Sequence, residues 1–193
     1  PPRMAHALAI MALSDAQRGR HKEADATGAR AVEVAASLPP NQRALVLRQR
    51  CNQQHQSTQF KAAIASCREA SAVAAKSTLG PEDRALIASS LGLSLLEATE
   101  YKEGEQAFQE ALRLTRSIPG QPVNSATAQA LGNLAILYFR QGRFKEAEQA
   151  NRETIAIKRK LYPDGHLELA RSLNNLANVL ATMNLPAEAI AAY

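Results

Sequence analysis

The sequence predicts an all-α fold, a solenoid of stacked antiparallel helix pairs. Three observations carry that expectation. The composition is rich in Ala and poor in aromatics, apolar residues recur at helical spacing, and one pattern repeats about every 42 residues along the chain.

Apolar residues make up 46% of the 193-residue chain, yet aromatics are 4% and Trp is absent. Much of the apolar content is Ala, the strongest helix former. Small residues suit closely packed helices better than sheets, which favour β-branched and aromatic side chains.

The pattern is clearest in two segments. Leu131-Gly-Asn-Leu-Ala-Ile-Leu-Tyr138 is followed by Gln141-Gly-Arg-Phe-Lys-Glu-Ala147. Leu173-Asn-Asn-Leu-Ala-Asn-Val-Leu180 is followed by Met183-Asn-Leu-Pro-Ala-Glu-Ala189, and both halves are offset by 42 residues. The frame extends backwards through His21, Phe60, Tyr101, Phe144 and Pro186, spaced 39, 41, 43 and 42 apart. Each marks the start of a second helix. Leu131, Leu134, Ala135 and Tyr138 share one face of a first helix. Gly142 then permits a tight interhelical turn. Pro39-Pro40-Asn41, Gly80-Pro81-Glu82-Asp83, Pro119-Gly120-Gln121-Pro122 and Pro163-Asp164-Gly165 bracket the pairs.

Small residues recur where paired helices approach: Ala12, Cys51, Gly92, Ala135 and Ala177 on the first helices, Ala24, Ala63, Gly104, Ala147 and Ala189 on the second. Five repeats result, at about 3–38, 41–78, 81–118, 123–162 and 165–193, within one domain of a larger protein. The chain opens on Pro1-Pro2 and the fifth repeat is cut at Tyr193. Apolar faces left exposed there predict end-to-end stacking into a homo-oligomer.

Leu-Gly-x-Leu-Ala-x-x-Tyr followed by Gln-Gly-Arg-Phe-x-Glu-Ala-Glu resembles the tetratricopeptide repeat (TPR) consensus. The longer period, the Leu173–Ala177 run and the linker Tyr162-Pro-Asp-Gly-His166 are similar to the kinesin-light-chain subclass. The second repeat departs most, with Arg50 and Cys51 where Leu and a smaller residue are usual. Pro186 replaces an aromatic but is tolerated at a helix start. The resemblance implies a right-handed superhelical solenoid with a concave groove lined by the first helices.

Mapped onto this chain, the groove residues are Arg48, Gln49, Asn52 and His55, then Gln129, Asn133 and Arg140, then Arg171, Asn174, Asn175 and Asn178. His6, Ala9, Leu13, Ser89, Ser90, Leu93, Glu97 and Ile136 complete the map. Asn and Gln offer a donor and an acceptor, which suits the main chain of an extended peptide. Arg48, Arg140 and Arg171 offer planar forks for carboxylates. The expected function is a protein-interaction scaffold that binds a protein or peptide, acidic ones included. The alternative is a ligand- or peptide-sensing domain that controls an attached kinase, protease or DNA-binding domain.

Other chemistries find less support. Cys51, His55 and Cys67 lack the further ligands a zinc site needs, and both cysteines fall in packing slots, so they read as buried free thiols. Two cysteines give no support for a disulfide framework. The four histidines are scattered and no phosphate-cradling glycine loop is present. No enzyme activity, metal or cofactor is therefore expected. Residues 41–79 carry six Lys/Arg against Glu69 alone, a regional excess too sparse for a nucleic-acid stripe. Lys158-Arg159-Lys160 is read as complementing a helix dipole. No apolar run reaches membrane-spanning length, and a cytoplasmic, bacterial signalling context is expected.

Overall fold

A computed structural model describes residues 2–118, 120 and 124–192. The Pro119, Gln121 and Pro122 of one bracketing motif, Pro1 and the terminal Tyr193 lie outside the described residues. Among those described there are ten α-helices and no strand. They are α1 (Pro2–Gln17), α2 (His21–Ala35), α3 (Pro40–Gln56), α4 (Phe60–Ala75), α5 (Pro81–Glu97), α6 (Tyr101–Arg116), α7 (Ser125–Arg140), α8 (Phe144–Leu161), α9 (Leu167–Thr182) and α10 (Pro186–Ala192). The even-numbered helices begin at His21, Phe60, Tyr101, Phe144 and Pro186, the residues that the repeat frame marks.

One turn geometry joins every pair. Gly19, Thr58, Thr99, Gly142 and Asn184 all have positive φ, and each stands two residues before a helix start. The following N–H, from Arg20, Gln59, Glu100, Arg143 or Leu185, donates to the carbonyl five residues back at 2.9–3.0 Å. This is the left-handed helix stop that satisfies otherwise orphaned carbonyls. Between the pairs, Pro40 and Pro81 open helices where a missing N–H costs nothing. Asn124 caps α7 by accepting from Thr127 N at 2.7 Å.

The chain divides into two compact units, Pro1–Gly104 and Glu105–Tyr193. In the first, α1 packs on α2 and α3, and α3 also packs on α2, α4 and α5. Its core is Ala5, Ala9, Ala31, Ala35 and Val46 at one level, and Ala44, Leu47, Ala70, Ala74 and Ile87 at the next. In the second unit α7 packs on α8, α8 on α9, and α9 on α10, with Ile155, Leu176, Leu180 and Ala189 buried together. All ten small residues of the predicted packing slots are buried. Their size sets how closely the helices approach, and each Leu or Ile sealed between them contributes roughly 1.5–3 kcal/mol.

The cysteines correct the sequence expectation. Cys51 and Cys67 are not free thiols but a disulfide, with Cα atoms 5.3 Å apart and no exposure at either residue. The packing slots explain it. Cys51 on α3 and Cys67 on α4 both point into the seam of one helix pair, beside Ala63, so the small-residue contact brings the sulfurs within bonding reach.

Arg50 has an equally local explanation. Its Nη1 donates to the Asp25 carbonyl (2.9 Å) and to Gln53 Oε1 (2.5 Å), and Nη2 pairs with Asp25 Oδ1 at 2.6 Å. The departure from Leu is thus absorbed by a polar seam between α2 and α3.

Candidate functional site

In the first unit, Arg48, Asn52 and His55 follow i, i+4, i+7 spacing on α3 and are half-buried on one face. Burial pulls the Arg48 guanidinium below its usual pKa, opposed by the charge of Asp83 on α5. Arg48 Nε and Gln49 Oε1 are buried without a hydrogen-bond partner in the protein. One is a donor and the other an acceptor, the complement of a peptide group. His55 Nδ1 lies 3.3 Å from Ser94 Oγ, and its ring meets Phe60 edge-on at 5.5 Å. Burial lowers its pKa, against the opposing charge of Glu97. Ala9 and Ser90 do not reach this surface, because both are buried.

The second unit holds a better-defined hollow. A cleft of about 490 Å³ runs between α7 and α9 and is closed at one end by the last turn of α8. Gln129, Gly132, Asn133 and Ile136 line it from α7, Arg171, Ser172 and Asn175 from α9, and Lys158 and Tyr162 from the closed end. A second hollow of about 270 Å³ shares Ile136 and Asn175 with it and adds Phe139, Asn151, Asn178 and Val179. The two therefore form one trough. Of the predicted residues, Gln129, Asn133, Arg171, Asn175 and Asn178 line it, while Arg140 and Asn174 are not among its lining residues.

Two side chains give the trough its chemistry. Asn133 Nδ2 is buried without a protein acceptor. Asn151 is only 2% exposed, and its Nδ2 donates to the Ala147 carbonyl at 3.0 Å while its Oδ1 has no partner. An unsatisfied buried polar atom costs about 1–3 kcal/mol. Around them stand Ile136 and Phe139, which are 38% and 37% exposed, so apolar and amide surface alternate.

The closed end holds Lys158 in the last turn of α8, as expected, and gives it a further role. Lys158 does not simply end a helix. Its Nζ turns inward, donating to the Glu168 carbonyl (2.9 Å), Glu168 Oε2 (3.2 Å) and Ser172 Oγ (3.0 Å). Glu168 also accepts from Arg171 at 2.7 Å. The Lys158 hydrogen bond, with the charges of Lys158 and Arg171, holds the Glu168 carboxyl below its usual pKa against a desolvation cost. Arg171 thus faces the trough with its charge already shared. Nothing in the Lys158-Arg159-Lys160 run distinguishes the inward lysine, because its partners come from the next helix. Asn151 was likewise missed: one Asn on a second helix carries no sequence signal.

Three of the six basic residues of 41–79 are ion-paired. Arg43 pairs with Glu69, Arg50 with Asp25 and Arg68 with Glu103, each at 2.6 Å. In the second unit, Arg143 bridges Glu105 and Glu146 and lies 4.3 Å from the Tyr138 ring centre. Among the described residues no three His, Cys, Asp or Glu side chains group to hold a metal ion, and no helix is long and apolar enough to cross a membrane.

Comparison with known proteins agrees with this architecture. The tetratricopeptide repeat family matches residues 83–160 and 126–193, together more than half of the chain. No curated protein sequence matches. Among solved structures, BtubC (BKLC) from P. vanneervenii superposes with a TM-score of 0.85 at 17% identity, over 99% of this chain and 77% of that one. A putative kinesin light chain with nearly identical TPR-like repeats from Podosopora anserina gives 0.81 at 18% identity, over 100% and 92%. A Rap protein complexed with Competence and Sporulation Factor gives 0.78 at 15% identity, over 98% and 52%. With its helix pairs, its recurrent left-handed turns and these matches, the chain belongs to the tetratricopeptide repeat family.

Proposed function

We propose that this chain is a protein-interaction scaffold that holds an extended peptide or protein segment against its first helices. The trough between α7 and α9 carries the reading. It presents Gln129, Asn133, Asn175 and Asn178 beside apolar Ile136 and Phe139, and leaves the Asn133 donor buried without a partner. Such amides match main-chain N–H and C=O groups, and the apolar patches take side chains. Arg48 and Gln49 repeat the donor–acceptor combination on the first unit. The Rap protein complexed with a factor supports this class of partner. A preference for acidic partners rests on Arg48, since Arg171 already shares Glu168. Nucleic acid is disfavoured by the ion pairs across 41–79.

The test is a peptide-array and pull-down comparison of the wild type with an Asn175→Ala, Asn178→Ala double variant. Partner binding should weaken while the helical signal and melting temperature hold. Unchanged binding by the double variant removes the α9 assignment.

Several finer points belong to the same reading. The chain binds rather than catalyses, sits in the cytoplasm, and comprises five repeats with the limits given above. A regulatory version, in which binding controls an attached effector, is the second reading, favoured by the same Rap resemblance. Self-association is proposed from exposed Met4, Ile10 and Met11 on α1 and Ile190 on α10. A strictly monomeric chain in concentrated solution by light scattering counts against it.

A further inference from the structure

The disulfide has a neighbour that connects it to the first unit's candidate surface. Ser94 Oγ on α5 lies 3.8 Å from Cys51 Sγ, 3.1 Å from the Ser90 carbonyl and 3.3 Å from His55 Nδ1. Ser94 is itself fully buried. Its hydroxyl has one hydrogen to give. The Ser90 carbonyl only accepts, and a disulfide sulfur has no hydrogen to offer. With the Ser94 hydrogen on the Ser90 carbonyl, His55 must carry its proton on Nδ1 and donate it to Ser94 Oγ.

We propose that Cys51–Cys67 is a thiol–disulfide switch that sets the hydrogen bonding and packing of His55. The chemistry is a two-electron exchange with a dithiol reductant. A reductant thiolate attacks one sulfur, the S–S bond breaks, and the resulting mixed disulfide is resolved by the second reductant thiol. Cys51 and Cys67 end as two thiols holding the transferred electron pair and two protons, and the reductant, having given them up, ends as a disulfide.

Two consequences follow for Ser94. Bonded sulfurs sit about 2.05 Å apart, whereas thiols separate to van der Waals contact at roughly 3.5–4 Å. Neither residue has any exposed surface, so the extra separation displaces neighbours, and Ser94 is in contact with Cys51. A Cys51 thiol also brings a hydrogen that the disulfide lacked, and it competes for Ser94 Oγ. Both changes loosen the His55–Ser94 bond. His55 shares its face of α3 with Asn52 and Arg48, so the reduced state presents a different binding face. The structural switch stands on this geometry alone; its effect on partner binding rests on the interaction reading above. Because both sulfurs are buried, exchange proceeds through local opening of the α3–α4 pair and is slow.

The experiment uses the whole chain and no partner, so it is independent of peptide binding. Ring nitrogen and proton shifts of His55 are followed by NMR through a pH titration, before and after dithiothreitol. The oxidised protein should show the Nδ1–H tautomer. Reduction should lower the His55 pKa, since losing an acceptor for Nδ1–H disfavours the charged ring. In the disulfide-bonded structure the charge of Glu97 acts on the ring. Cys67→Ser should match the reduced protein; if that variant does not fold, reduction of the wild type decides. Identical His55 signals in both redox states overturn the proposal. So does alkylation of both cysteines by iodoacetamide, without reductant, in protein unfolded after air oxidation.

Discussion

Gly28 and Arg50 fit each other. A Cβ on Gly28 would lie 2.5 Å from Arg50 Nη1 and 2.9 Å from Gln53 Oε1. The guanidinium is held against that empty position by Asp25 and Gln53. Gly28→Ala gains about 1 kcal/mol of helix propensity, but the methyl must displace a tethered guanidinium, and overpacking costs about 1–3 kcal/mol. We expect a net loss of stability in urea. The loss should shrink when Arg50→Leu is added, because the two residues share one contact. Additive effects would show that the pair is not coupled.

The five turns make a second prediction. Thr99 occupies the left-handed region at φ 61°, where a β-branched residue is strained, in the same register as Gly142 at φ 74°. Gly142→Ala should lose about 1–2 kcal/mol. Thr99→Gly should gain about 0.5–1 kcal/mol, the relief of strain being offset by the greater freedom of Gly in the unfolded chain. Melting curves of both variants check the opposite signs.

Glu168 predicts a pH dependence. The folded carboxyl is held below its ordinary value, chiefly by the Lys158 hydrogen bond. Its contribution is therefore present above the unfolded pKa of about 4.3 and is lost as pH falls through the lower folded value. The side chain is 42% exposed, so the contribution is discounted to under about 1 kcal/mol. Stability measured from pH 6 down to pH 2.5 should fall less steeply in Glu168→Gln than in the wild type. Parallel curves would show that this carboxyl does not contribute.

Asn133 separates a binding role from a structural one. Its buried Nδ2 has no protein acceptor. Asn133→Leu removes that cost, so it should leave the chain as stable or more stable, by up to about 1–3 kcal/mol, while weakening partner capture. A variant that is both destabilised and fully competent in pull-downs would place Asn133 in the fold instead of the trough.

The sequence by itself determined the helix pairs. Small residues at Ala135, Ala147 and their equivalents, punctuation at Pro40 and Pro81, and the marks at Phe60 and Phe144 act within one or two turns of helix, so local order reveals them. Gly142 announced its turn for the same reason. Thr58 and Thr99 did not, because they are held left-handed by the packing on either side and not by their own preference. Arg50 looked like a departure from the repeat until Gly28, on another helix, supplied its space.

Only the tertiary structure decided which side chains face one another. Cys51 and Cys67 sit 16 residues apart on two helices and become a disulfide because one seam receives both. Lys158, in the last turn of its helix, is also a bridge because Glu168 and Ser172 arrive from the next helix. Asn133 and Arg171 were legible as candidates, but whether their polar atoms were spent or spare depended on neighbours distant in sequence. Helical periodicity is written in nearest neighbours along the chain, whereas a binding surface is a matter of which hydrogen-bonding groups remain unsatisfied once the helices have packed.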